Sequence, residues 1–211
     1  MLVCLAAAFF EPRVRGAENK GRQVDLLIAR DQVKDPYFRH SVVLMLPTSE
    51  TRLVVGIIIN RRTRLTLGSL FPDSPDLKGR TEHAYFGGPV RIGVASAVFR
   101  SRTAPENALR LYDNVYLTFD SDLISKAFQG PNVGSRARLF LGRAQWAPAQ
   151  LQNEIRQGGW YRIQADGDLV FSAHPENLWP TLHAQAAPTK YIHYILPPRG
   201  SHSSRRKAAA M

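Results

Sequence analysis

Cysteine is almost missing from this sequence, which has a single one, Cys4, among 211 residues. An intramolecular disulfide and a metal cluster held by several thiolates are therefore both excluded. Long apolar runs are missing as well. The apolar run at residues 2–10 has only nine residues, whereas a helix needs about 20 to cross a bilayer. The sequence therefore predicts no transmembrane segment.

Signatures of catalysis, metal binding and cofactor binding are also absent. The sequence has no Gly-x-Ser-x-Gly nucleophile elbow and no glycine-rich dinucleotide or Walker motif. The histidines show neither a His-x-His spacing nor a helical i, i+4 pair; they are His40, His83, His174, His183, His193 and His202. We therefore predict a protein without metal, cofactor or enzymatic activity. A hydrolase with an unrecognised site is an alternative.

The composition is that of an ordinary globular protein, with 44% hydrophobic and 21% charged residues. A chain of this length is expected to form one domain, because domains usually have about 100–200 residues. We place this domain at residues 21–188, between a leader of residues 1–20 and a tail of residues 189–211. The tail has little apolar content and is predicted to be disordered.

The leader resembles the end of a secretory signal peptide. The apolar run is followed by Pro12 and by the small residues Gly16 and Ala17, as near a cleavage site. The usual positive segment before the run is missing, and Arg13 and Arg15 follow the run instead. Two interpretations stay open. Residues 1–16 are a truncated signal peptide of an exported protein, or they are a short leader of a cytoplasmic one.

Positive charge is concentrated in two regions of the chain. The net charge is +11, and residues 52–110 carry ten basic and four acidic side chains. The tail adds five basic residues and no acidic one. A basic surface could bind nucleic acid through its phosphates. Because helix-turn-helix, zinc-knuckle and RNP motifs are all missing, scattered solvated charge is the favoured interpretation, and nucleic acid binding through residues 52–110 and the tail is the alternative.

The hydrophobic pattern predicts strands joined by hairpins, with helices inserted late. Residues 41–46 and 53–60 are β-branched runs on either side of a polar loop, which predicts an antiparallel hairpin buried on both faces. Other strands are predicted at residues 25–30, 84–90, 94–100, 115–119, 136–141, 160–165 and 169–171, and helices at 66–71, 120–128, 148–157 and 176–184. This order indicates an α+β fold rather than a doubly wound parallel sheet.

Several segments, in order over residues 24–182, together resemble the AlgH/YqgE family. They include Asp35-Pro36-Tyr37-Phe38, Gly56-Ile-Ile-Ile-Asn60-Arg61, Gly87-Gly88-Pro89-Val90 and Phe140-Leu-Gly-Arg-Ala-Gln-Trp146. The resemblance implies a single α+β domain in which a bifurcated mixed sheet curls into a pseudo-barrel with flanking helices. It also implies a cytoplasmic bacterial protein. Relatives are often labelled transcriptional regulators, although the label comes without a recognised DNA-binding motif. The sequence departs from the family pattern at Arg62, Arg143, Gln145 and Ala149.

Arginines and tryptophans give the candidate contact residues. Arg61, Arg62 and Arg64 follow a buried strand, so their guanidinium groups are expected at one rim of the sheet, where they suit phosphate or carboxylate partners. Trp146 is expected to pack the helix at residues 148–157 onto the sheet, with a role in an interface as the alternative. Glu154 is expected to pair with Arg143 or Arg156.

The missing catalytic motifs and the family resemblance together predict a non-enzymatic regulatory or interaction protein with an unknown protein partner. Gly87-Gly88-Pro89 is favoured as a structural turn over an anion site, because Pro89 has no amide hydrogen to donate. The surfaces that we predict for a ligand or partner nevertheless include both glycines. Their residues are Asn60, Arg61, Arg62, Arg64, Gly87, Gly88, Arg143 and Trp146.

Overall fold

The computed structural model describes residues 23–47 and 53–187, and this part contains ten strands and four α-helices. The strands are β1 (Gln23–Ala29), β2 (Val42–Met45), β3 (Val54–Ile58), β4 (Arg62–Thr66), β5 (His83–Phe86), β6 (Val90–Arg100), β7 (Ala108–Tyr112), β8 (Val115–Thr118), β9 (Ala137–Trp146) and β10 (Trp160–Asp166). The α-helices are α1 (Leu67–Leu70), α2 (Ser121–Ala127), α3 (Pro148–Arg156) and α4 (Leu178–Ala186). The predictions for the leader and the tail lie outside the described residues.

Eight strands follow one another across the sheet in the order β10-β1-β2-β3-β9-β6-β8-β7, and every neighbouring pair is antiparallel. The other two strands branch from this order, because β5 pairs in parallel with β9 and β4 pairs with β5. The sheet therefore forks at β9, which has β3, β5 and β6 as partners. The sheet curls into a half-barrel, and the predicted α+β fold is confirmed.

Hydrophobic side chains fill both faces of the strands at the start of the chain. Leu26 and Leu44 belong to the largest core cluster. Leu27 and Val43, one position along each strand, belong to a separate cluster that contains Trp146. Side chains alternate between the two faces of a strand, so the predicted hairpin of β2 and β3 is confirmed as a structure that is covered on both sides.

The predicted helix starts are confirmed where capping residues define them. Thr66 and Ser69 exchange side-chain and backbone hydrogen bonds in a capping box at the start of α1. The Asp120 carboxylate caps α2, and Pro148 is the first residue of α3. Within residues 23–47 and 53–187, no helix is both long enough and apolar enough to cross a membrane.

At three places the secondary structure differs from the prediction made from the local sequence pattern. The strand predicted at residues 169–171 is wrong, because Gly167–Phe171 form a 3₁₀ helix. Asp166 caps this helix by accepting a hydrogen bond from the Asp168 amide at 2.9 Å. Two strands, β4 and β7, were not predicted at all. Their sequences mix polar and apolar residues, and they become strands by pairing with β5 and β8.

Three glycines, Gly87, Gly88 and Gly142, allow the backbones to approach at the fork; we call them the glycine fork. Gly142 has a φ of +71°, and a Cβ atom there would lie 2.3 Å from the carbonyl oxygen of Gly88. A Cβ atom on Gly87 would lie 2.4 Å from the Gly142 oxygen, and one on Gly88 would lie 2.2 Å from the carbonyl carbon of Arg143. These contacts leave no room for a side chain.

Substitution of Gly142 by alanine is expected to lower the free energy of unfolding by about 3 kcal/mol or more, because the fork must open and φ is left-handed. Urea unfolding followed by circular dichroism measures the loss. Gly93→Ala, on β6, is the matched control, since a Cβ atom there meets nothing within 4 Å. Equal destabilisation of the two variants would show that the fork does not depend on close backbone contact.

Candidate functional site

A surface groove lies where the loop at residues 35–41, the end of β3 and the start of α4 meet. It consists of two adjoining depressions of about 590 and 680 Å³, which share Pro36, Asn60, Arg61 and Glu176. We call it the Asn60 groove. Its other lining residues are Tyr37, Arg39, His40, Arg62, Phe86, Pro175, Trp179 and Pro180.

Asn60 fixes the loop that forms one wall of the groove. Its amide nitrogen donates to the His40 carbonyl at 2.9 Å, and its side-chain oxygen accepts from the Val42 amide at 2.9 Å. His40 has a φ of +56°, which is uncommon for a residue with a side chain. The two hydrogen bonds hold the chain on both sides of this turn, so Asn60 acts first as a structural clamp.

Arg61 holds the same loop from its other end. Its guanidinium group donates to the carbonyl oxygens of Pro36, at 2.9 Å, and of Arg39. Its Cζ atom lies 6.0 Å from the centre of the Phe86 ring. Burial lowers the pKa of Arg61, the nearby charge of Arg39 lowers it further, and Asp35 raises it. Arginine keeps its positive charge even when its pKa is lowered in this way. Arg61 therefore directs its charge and two of its N–H donors at the loop.

Aromatic rings line the two ends of the groove. Tyr37, which is 46% exposed, stacks on Phe86 with ring centres 5.9 Å apart. At the other end, His40 lies against Trp179 with ring centres 4.1 Å apart. The Trp179 indole donates to the Ala29 carbonyl at 2.8 Å, which fixes this ring on β1. The groove therefore offers flat apolar surfaces at both ends.

Charged side chains of both signs face solvent along the groove. Arg39 and Arg62 are exposed, and Glu176 is the acidic residue among the lining residues. The pKa of Glu176 is lowered, mainly because its carboxylate accepts a hydrogen bond from its own backbone amide. The side chain of His174, 3.3 Å from Glu176 Oε1, acts in the same direction. Positive charge exceeds negative charge among the residues that line the groove.

The structure brings together only part of the predicted site. Asn60, Arg61 and Arg62 line one groove, as their neighbouring positions suggested. Arg64 is exposed two residues further along β4, and the Arg143 guanidinium donates to Gln145 Oε1 at 3.2 and 3.3 Å. Neither lines the groove. The other predicted residues, Gly87, Gly88 and Trp146, are buried and offer no side-chain surface to a partner.

The predicted ion pair of Glu154 with Arg143 or Arg156 is wrong. Glu154 Oε2 instead accepts hydrogen bonds from both indole nitrogens, Trp146 at 3.1 Å and Trp160 at 2.9 Å. The two tryptophan rings meet edge to face, with centres 5.9 Å apart. Trp146 therefore packs α3 onto the sheet, the favoured of its two predicted roles.

Sequence reasoning missed the groove residues that come from distant parts of the chain. Residues 35–38 were identified from the sequence only as part of the family pattern, and Trp179 lies within the helix predicted at residues 176–184 without a role of its own. No local signal indicates that Glu176 and Trp179 face Asn60, because more than 100 residues separate them in sequence. The segment at residues 35–38 carried a usable hint, since it was one of the motifs behind the resemblance.

The fold and the groove together define a class, a small α+β domain with a forked half-barrel sheet and an aromatic, cationic surface groove. The chain belongs to the AlgH-like family, whose pattern matches residues 26–189. This is the UPF0301 family, whose molecular function is not established. Membership confirms the resemblance found in the sequence.

Relatives and solved structures support this assignment. A UPF0301 protein of Myxococcus xanthus is 36% identical over 159 residues, which are 74% of this chain and 86% of the relative. A UPF0301 protein of Streptomyces coelicolor is 33% identical over 161 residues, 73% of this chain and 81% of the relative. The solution structure of the AlgH protein from Pseudomonas aeruginosa superimposes with a TM-score of 0.62 at 22% identity, over 82% of this chain and 93% of that one. This last likeness shows the fold alone.

Substitution of Asn60 by aspartate tests the clamp. The carboxylate keeps the acceptor for the Val42 amide but loses the donor to the His40 carbonyl, so stability should fall by about 1–3 kcal/mol. Hydrogen exchange of the Arg39 and Ser41 amides should become faster. Asn177→Asp is the control, since the Asn177 side chain makes no capping hydrogen bond. Unchanged exchange in the loop would contradict the clamp.

Substitution of Glu154 by glutamine is expected to lower the free energy of unfolding by about 2 kcal/mol, because the two indole N–H groups lose a charged acceptor. Thermal and urea unfolding measure the change. Gln150→Ala removes only the exposed hydrogen bond from Gln150 to Glu154 Oε1 and should cost less than about 0.5 kcal/mol. A smaller loss for Glu154→Gln than for Gln150→Ala would overturn the assigned role.

Proposed function

We propose that this protein is a non-catalytic interaction protein that binds a segment of a partner protein in the Asn60 groove. The observation that carries the proposal is that some groove residues hold the loop in place whereas others are exposed to a ligand. The side chains of Asn60 and Arg61 are engaged in shaping the loop at residues 35–41. Tyr37, Arg39 and Arg62 remain exposed beside them, so a stiffly held surface presents free contact groups.

The residue types in the groove support protein binding. Tyrosine, tryptophan and arginine are the residues that most often dominate binding energy at protein interfaces. Tyr37 and Trp179 stand at opposite ends of the groove, and Arg62 is near the Tyr37 end. Pro36, Pro175 and Pro180 add rigid apolar surface between them. A groove of this shape suits an extended segment, which lies along it and places side chains at both aromatic ends.

The DNA-binding alternative receives less support from the positions of the arginines. Several basic side chains of residues 52–110 have partners within the protein. Arg61 holds the groove loop, Arg80 pairs with Glu82 at 2.7 Å, and Arg100 pairs with Asp168 at 2.6 Å. Fewer than the ten basic side chains counted in residues 52–110 are therefore available to bind the phosphates of DNA. The hydrolase alternative and the cytoplasmic location stay predictions, because no observation favours either of them.

Capture of partners by the tagged full-length protein tests the proposal, with Tyr37→Ala as the groove variant. Phe119→Ala is the matched control, because Phe119 is 53% exposed and does not line the groove. A true partner should be lost with Tyr37→Ala and kept with Phe119→Ala. The purified partner should then bind the wild type at least about tenfold more tightly than Tyr37→Ala, as for an interface hot spot.

Two outcomes of this experiment contradict the proposal. The first is a set of captured proteins that is the same for wild type, Tyr37→Ala and Phe119→Ala, because the groove would then contribute nothing. The second is retention that nuclease treatment or about 0.5 M salt abolishes for every protein, since that behaviour is typical of nucleic acid binding. Thermal unfolding of both variants verifies that they are folded.

A further inference from the structure

A row of side chains runs from the groove wall into the core across three neighbouring strands. Arg62 of β4 lies opposite Tyr85 of β5, and Tyr85 lies beside Phe140 of β9. Arg138 precedes Phe140 by two residues, so it is on the same face of β9. Arg62, Tyr85 and Arg138 therefore share one face of the sheet, with Arg62 at the exposed end and Arg138 at the buried end.

Arg138 is a buried cation that forms no ion pair with a carboxylate of the described residues. Its side chain is 6% exposed, and its Cζ atom lies 4.6 Å from the centre of the Tyr85 ring. Nη2 donates to the Ser172 carbonyl, whereas Nη1 has no hydrogen-bond partner within the described residues. Burial lowers the pKa of Arg138 and the charge of Arg62 lowers it further, whereas Tyr85 and the Glu176 carboxylate raise it. A buried charge is usually paired with an opposite one, so a buried arginine with an unbonded Nη1 atom is unusual.

The available acidic side chain does not neutralise the two arginines. Glu176 lines the groove beside Arg62, but its carboxylate bonds to His174 and faces solvent. With Arg61, which lines the same end, three positive charges and one negative charge thus lie together at this end of the groove. Charges separated by protein rather than by water interact strongly, so Arg138 contributes to the potential in the groove although its own nitrogen atoms are covered.

We propose that the Arg62 end of the Asn60 groove is a subsite for a carboxylate group of the bound segment, an inference that rests on the proposed function. Arg62 contacts the carboxylate directly, and the buried Arg138 strengthens the attraction from beneath without touching it. Glu176 opposes binding, because its charge has the same sign as the ligand. The partner segment therefore carries an aspartate or glutamate next to the residue that meets Tyr37 and Phe86.

The hydrogen-bond donors favour a carboxylate over a phosphate. Arg61 already donates to two loop carbonyls and Arg138 is buried, so Arg62 is the arginine of this end that is exposed to a ligand. One guanidinium group pairs with the two oxygens of one carboxylate, whereas a phosphate monoester has three strong acceptor oxygens. Phosphate binding is therefore a distinct outcome of the test, and it would overturn the assigned ligand class.

Titration of the ¹⁵N-labelled full-length protein with a minimal ligand tests the subsite without any partner. The probes are acetyl-glutamate α-amide, its uncharged counterpart acetyl-glutamine α-amide, and inorganic phosphate, all at one ionic strength set with chloride. The backbone amides of Arg62, Tyr85 and Glu176 should shift with the glutamate probe in a saturable manner. They should shift much less with the glutamine probe or with phosphate. Equal shifts with glutamate and glutamine, or tighter binding of phosphate, would overturn the proposal.

Variants separate direct contact from the effect of the buried charge. Arg62→Gln should weaken the glutamate probe about tenfold, Arg138→Met about threefold or more, and Glu176→Gln should strengthen it about threefold. Arg138→Lys keeps the charge and should bind nearly as the wild type does. The matched controls are Arg102→Gln and Glu106→Gln, which are exposed in the loop between β6 and β7 and should change nothing.

Two results of the variant series contradict the proposal. An affinity of Arg138→Met equal to that of the wild type contradicts the role of Arg138. A Glu176→Gln affinity no higher than that of the wild type contradicts the electrostatic basis of the subsite, and this result is informative even if Arg138→Met fails to fold. The subsite and the proposed function fail separately. The glutamate probe needs no partner, whereas partner capture through Tyr37 needs no carboxylate.

Discussion

Close packing of backbone at the glycine fork is the constraint on which the rest of the structure depends. The Gly87 amide donates to the Leu141 carbonyl at 2.8 Å, and the Ile58 amide donates to the Gly87 carbonyl at 2.9 Å. One residue thus joins the β5 branch to both β9 and β3. A side chain at any of the three fork glycines would occupy space that the facing backbone already fills. Without this contact β9 could not hold three neighbours, and the sheet would have no branch.

The branch in turn positions the groove. Phe86 directly precedes the fork, and its amide donates to the Arg61 carbonyl at 2.8 Å. This bond sets Phe86 beside the arginine whose guanidinium group ties down the loop at residues 35–41. Tyr37 then stacks on Phe86. The groove is therefore built on backbone hydrogen bonds at one side and on side-chain clamps at the other, which explains how a surface loop can present a fixed aromatic ring.

Buried polar groups are treated in two contrasting ways. Glu154 is partly covered by two tryptophans, and both indole N–H groups bond to it. Arg138 is covered by Tyr85 and the core, and a carbonyl oxygen and an aromatic face are its contacts instead of a carboxylate. A satisfied buried acceptor needs nothing further, since its hydrogen bonds replace those to water. A buried cation without an ion-pair partner keeps a field that reaches beyond its own contacts. This difference separates a structural role for Glu154 from a functional one for Arg138.

The sequence by itself determined the fold class, the family, most strands and the helix starts, because apolar periodicity, caps and turn residues act over a few positions. It also predicted Arg61, Arg62 and Arg64 at one rim, of which Arg61 and Arg62 line the groove. The tertiary structure decided which residues share a site. Register across β4, β5 and β9 brings Arg62, Tyr85 and Arg138 onto one face, and pairing alone turns residues 62–66 into a strand. Gly87, Gly88 and Trp146, which were predicted at the surface, are buried. These outcomes depend on contacts between segments far apart in the chain, and no local pattern of residues encodes such contacts.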